Sequence, residues 1–169
     1  MAVTVEDGTG LAAADSYISQ TNADTYFTNH NSPTAWTGLT SANKDAALRY
    51  ATQALDGMYS FVGSIQFRST PQALAWPRIA AYDEEGRLMD DSAVPTRIEE
   101  ATCELALAHA NTALNSAYAR GGQVRSEQVA ALRVEYMDAA AIEPLVPQID
   151  RIIRGLGILR GNTVELLRG

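Results

Sequence analysis

Residues 95–116 read PTRIEEATCELALAHANTALNS, and this stretch decides the fold. Pro95 suits a first helical position, where its missing N–H is no loss, and Glu99 and Glu100 complement the positive end of the helix dipole. At about 100° per residue, Glu100, Glu104, Asn111 and Asn115 fall in one narrow wedge. Most of the rest is Ala, Leu or Cys, with Thr102, His109 and Thr112 as milder exceptions. A helix with so thin a polar stripe is surrounded on several sides. It is therefore expected at the centre of a small helical bundle, or partly covered by a neighbouring subunit.

N-terminal to it, two shorter helices are predicted. In the first, Thr21 and Asp24 form a capping-box-like pair. Ala23, Tyr26, Phe27 and His30 share one face, and Asn31-Ser32-Pro33 ends the helix because the residue before proline leaves the helical region. In the second, Thr40 or Ser41 caps the start, Asp45 sits near its positive end, and Ala47, Ala51, Ala54, Leu55 and Met58 line one face. Gly57 stands where a left-handed C-terminal residue is wanted. The first fifteen residues read as an irregular arm in which Val3 and Val5 allow a short strand. Between 59 and 94, Phe61-Val62 and Ile65-Gln66-Phe67 read as short extended pieces, and Pro71 to Pro77 as a compact turn. Asp83-Glu84-Glu85-Gly86 reads as a hairpin tip joining Ile79–Tyr82 to Arg87–Met89.

C-terminal to the long helix, Arg120-Gly121-Gly122 breaks it. Gln123 to Tyr136 carries Val124, Val129, Val134 and Tyr136 and reads as an extended arm with strand character, although 128–133 is rich in helix formers. Pro144 and Pro147 punctuate the entry to a last helix, where Ile149, Ile152, Ile153 and Leu156 share a face. Gly155, Gly157 and Gly161 loosen the end of the chain, while Leu159, Val164, Leu166 and Leu167 keep it apolar, so this tail is expected to dock somewhere. The fold class expected is mainly α: a small helical bundle around a long central helix, with an extended β-like arm and a C-terminal helix plus tail. The organisation expected is one helical domain over 1–155, including the arm at 120–140, and a docking tail over 156–169.

The chain has 169 residues, 46% hydrophobic and 20% charged, which suits one globular domain and not a disordered chain. One cysteine excludes an intrachain disulfide and a Cys-rich zinc site. No apolar run approaches the ~20 residues of a membrane span, and MAVTVEDGTG lacks the features of a secretory signal. A soluble protein of a reducing compartment is expected. The net charge is −7, unevenly spread: residues 1–60 carry −4, residues 61–120 carry −3, and 151–169 carry +3 through Arg151, Arg154, Arg160 and Arg168 against Glu165. An acidic body repels phosphate backbones and disfavours tight sequence-independent nucleic-acid binding.

Reaction chemistry is sparse. His30 and His109 fall in different helices with no HxxxH or HxxE spacing, and each reads as an ordinary helix residue. Cys103 lies on an apolar face and reads as a buried structural thiol. Asp83-Glu84-Glu85 and Asp90-Asp91 read as solvated turns, since no calcium-loop pattern accompanies them. Phosphate-loop, dinucleotide and nucleophile-elbow motifs are missing, as is a basic stripe with interleaved aromatics for stacking single-stranded bases. No enzyme activity, cofactor or metal is expected.

Several segments in order nevertheless resemble a phage-encoded group. They are Thr4 to Ala12 (TVEDGTGLA) with Asp15-Ser16-Tyr17, Ala46-Ala47-Leu48 to Leu55-Asp56-Gly57, and Gln72 to Arg78 (QALAWPR). Val94-Pro95 with the long helix comes next, then Val124-Arg125-Ser126-Glu127 to Val134-Glu135-Tyr136. The group is often labelled DnaT-like single-stranded-DNA-binding protein. The Ser-Glu-x-Val to Val-Glu-Tyr stretch also resembles the head–tail connector (adaptor, or head-completion) proteins of tailed phages. The connector resemblance implies a structural virion protein of the neck, made in the host cytoplasm. It would form a ring of about twelve copies beneath the portal, touch a tail, stopper or terminator protein, and surround passing double-stranded DNA without sequence-specific binding. Expected contacts to portal or neighbouring subunit are Val124, Arg125, Ser126, Glu127, Val134, Tyr136, Arg151, Arg154, Leu159, Arg160, Val164, Leu166 and Leu167. The alternative implied by the other label is a phage single-stranded-DNA-binding accessory protein. The missing basic aromatic groove weighs for the connector.

Overall fold

A computed structural model describes residues 2–66, 71–114, 126–129, 132–135 and 145–159. Among these the chain is mainly α, with a few short strands. The helices are α1 (Gln20–Asn29), α2 (Thr34–Thr37), α3 (Ser41–Met58), α4 (Thr96–Leu114) and α5 (Leu145–Ile152). The strands are β1 (Tyr59–Phe61), β2 (Ser64–Ile65), β3 (Arg78–Ile79), β4 (Ser126–Val129), β5 (Leu132–Glu135) and β6 (Gly157–Leu159).

α4 packs against α3, α5, α2 and α1. Its Ile98, Ala101, Cys103, Leu105 and Ala106 are buried in one core with Phe27, Trp36, Leu48, Leu55, Trp76, Ile149 and Ile153. Even its polar wedge is partly covered. Glu104 accepts a hydrogen bond from the Tyr26 hydroxyl on α1 (2.8 Å) and one from Gln148 Nε2 on α5 (3.0 Å). Pro95 stands just before the first helical residue, and its carbonyl accepts from the N–H groups of Ile98 and Glu99.

Two helix ends differ from expectation. The cap of α1 is Ser19, whose hydroxyl accepts from the Asn22 N–H (3.1 Å); Thr21 lies within the helix. Asp24, freed from capping, instead accepts from Trp36 Nε1 and Lys44 Nζ, both at 2.7 Å. Thr40 caps α3 as expected. Gly57, however, does not end it. The helix runs through Met58, and the Tyr59 N–H closes the last turn on Leu55 O as β1 begins. Gly57 is exposed, and a Cβ built there meets nothing within 4 Å. Gly57→Ala is therefore expected to stabilise the fold by about 0.5–1 kcal/mol, read as a rise in denaturation midpoint at unchanged slope.

Pro147 sits in the first turn of α5, where no N–H is needed. After α5 the chain stays in the body. Leu156 is buried, its carbonyl accepts from the Val62 N–H (2.9 Å), and β6 pairs antiparallel with β1, Tyr59 opposite Leu159 and Phe61 opposite Gly157. Residues 156–159 thus extend the packed body beyond 155, so a truncation that spares it begins at 160. The expected hairpin at 79–89 is present: Tyr82 bridges Leu88, and the N–H of Met89 donates to Ala81 O (2.9 Å).

The segment before α1 is irregular yet fixed. Glu6 is 3% exposed, and its carboxylate accepts from the N–H groups of Gly8 (3.0 Å), Gly10 (2.8 Å) and Leu11 (2.8 Å). Val5 makes one isolated bridge to Ser16, and the short strand expected at Val3 and Val5 does not form. Tyr17 donates to Asp56 (2.6 Å) and accepts from the Trp76 N–H (3.3 Å), which ties this segment to α3 and to the 71–77 turn.

Candidate functional site

The expected arm is a hairpin. β4 and β5 run antiparallel, with Ser126 opposite Glu135, Glu127 opposite Val134, Gln128 opposite Arg133 and Val129 opposite Leu132. The ladder overrides the helix preference of Gln128, Leu132 and Arg133. Among the described residues these two strands pair only with each other. The candidates Ser126, Glu127 and Val134 lie on it. Val124, Arg125 and Tyr136 lie outside the described residues.

At the other end of the chain, Arg151 is exposed in the last turn of α5. Arg154 lies in the next turn and pairs with Glu84 of the 79–89 hairpin (Nε to Oε1, 3.1 Å). Arg97, at the start of α4, donates to the Arg154 carbonyl (3.2 Å). Three segments remote in sequence therefore meet at Arg154. Leu159 lies in β6, its main chain opposite Tyr59. Arg160, Val164, Leu166 and Leu167 lie outside the described residues.

The body's electrostatics follow from where its cations are used. Among the side chains described, fifteen carboxylates face seven cations. Lys44 pairs with Asp24 (2.7 Å), Arg49 with Asp15 (2.6 Å), and Arg87 with Asp83 (3.1 Å) and Glu85 (2.6 Å). Arg78 donates to four main-chain carbonyls, of Phe61, Val62, Gly63 and Ala75. Burial alone would raise the carboxyl of Asp24, but the hydrogen bonds from Lys44 and Trp36 outweigh it and hold it below the usual range. A guanidinium or ammonium satisfied in this way has little left for a phosphate.

The reactive residue types have local roles. His30 stacks on Tyr26 (4.2 Å between ring centres) and His109 on Tyr50 (4.0 Å). Cys103 is buried, and burial first, then Glu104, Glu99 and Glu100, pushes its thiol far above the ordinary range. Among the described residues no group of three or more His, Cys, Asp or Glu is placed to hold a metal ion, and no helix is long and apolar enough to cross a membrane.

Glu99 lies in a groove between α1 and α4. Burial and the neighbouring Glu100 raise its carboxyl. A raised carboxylate in the folded state costs stability above its pKa and none when protonated. Glu99→Gln is therefore expected to raise the melting temperature at pH 7. The gain should vanish as pH falls through the carboxylate range, as thermal scans at pH 7 and pH 3.5 would show.

Sequence reasoning missed one feature. Tyr82 and Leu88, paired across the 79–89 hairpin, are 53% and 66% exposed. Alternation along the hairpin marks both as candidates for one face, but which face is covered depends on α4 and the 154–156 turn.

A mainly helical chain with an anionic body and a self-paired β-hairpin is thus in view. Over residues 1–169 it matches the family described as "Putative DnaT-like ssDNA binding protein", and it belongs to that family. Of the two functions raised by the sequence, this description supports single-stranded-DNA binding. No curated protein and no solved structure matches the chain.

Proposed function

We propose that the chain is a structural protein of a tailed-phage neck: a ring-forming head–tail adaptor that docks beneath the portal, extends the DNA channel and joins capsid to tail. The observation that carries this reading is the hairpin β4–β5, whose edges find no third strand among the described residues. Strand addition by a neighbour satisfies such an edge and gives the heterologous contact that a closed ring needs. The anionic body adds support, because a lumen that repels phosphate lets DNA pass without sticking. In this reading the 124–136 hairpin region grips the next copy, while Arg151, Arg154 and the segment from 159 onward meet the portal or a neighbour. No residue is assigned a catalytic role.

The family description favours a second reading, a single-stranded-DNA-binding accessory protein. Its cations would be Arg120, Arg125, Arg133, Arg160 and Arg168, which fall in sequence at 120–133 and after residue 159. A fluorescence-anisotropy titration with a labelled thymidine oligonucleotide across a salt series separates the two. The adaptor is expected to bind more weakly than about 100 μM at physiological salt. Micromolar or tighter binding with a steep salt slope would establish the second reading instead.

A further inference from the structure

We draw no further inference here: the strongest candidate, the groove of about 250 Å³ between α1 and α4 lined by Tyr26, His30, Glu99 and Glu100, carries nothing because its two carboxylates are all that mark it as a site and nothing among the described residues shows what would fill it.

Discussion

Gly8→Ala is expected to cost about 3–5 kcal/mol, at the severe end for a single substitution. Gly8 has φ +95°, a conformation that L side chains rarely adopt. Space is also lacking. A Cβ at Gly8 would overlap the carbonyl oxygen of Ser92 and stand 2.6 Å from its carbon and 3.1 Å from the Ala93 Cα. These are main-chain atoms just ahead of α4, so relief requires one of the two segments to move. Moving the Gly8 loop breaks the hydrogen bonds that the buried Glu6 carboxylate receives from Gly8, Gly10 and Leu11. Losing charge-assisted bonds in a buried site adds to the strain. At roughly 2–4 °C per kcal/mol for a chain of this length, the melting temperature should fall by about 10 °C or more. A thermal scan followed by far-ultraviolet circular dichroism reads this directly. A shift within a degree or two would show that the N-terminal segment is not anchored as described.

Arg78→Ala is the second large effect, at about 2–4 kcal/mol. The guanidinium of Arg78 reaches Val62 O (2.6 Å), Gly63 O (2.9 Å), Ala75 O (3.1 Å) and Phe61 O (3.3 Å). It is one side chain tying the 75–78 turn to the end of β1 and the bend beyond it. Without it four carbonyls lose a charged donor, and those shielded from water pay the full cost of desolvation. Arg78→Lys is expected to recover less than half of the loss, because a single ammonium cannot reproduce a planar fork aimed at several acceptors. β1 also holds β6. Chemical denaturation of the three proteins gives the stability order. Full recovery by lysine would mean that charge alone, and not the fork, holds the turn.

The elements legible in the sequence were those whose signal is local. The periodicity of α3 and α4 and the Asp-Glu-Glu-Gly turn of the 79–89 hairpin all depend on residues a few positions apart. α2 escaped because four residues are too few for a period, and only the burial of Trp36 against Phe27 reveals it. Gly57 looked like a stop, yet the chain passes straight from helix into β1, and a helix that continues into a strand has no use for a left-handed residue. Residues 157–159 looked loose because Gly155, Gly157 and Gly161 surround them. Their partner is β1, far away in the chain, and no local pattern shows such a pairing. The strand character expected around residues 123–136 was legible, since Ser126, Glu127 and Val134 lie on paired strands. The cleft lined by the 79–89 hairpin, the start of α4 and Leu156 was not, because these segments meet only in the folded chain.

Electron microscopy of the purified chain mixed with the portal protein proposed as its partner most directly tests the claim that this protein works by gripping other proteins. The account predicts a second ring of density stacked on the portal, with the β4–β5 hairpin of each copy lying against its neighbour. Bare portal rings at saturating concentrations of the chain, with the same preparation coating single-stranded DNA, would contradict it.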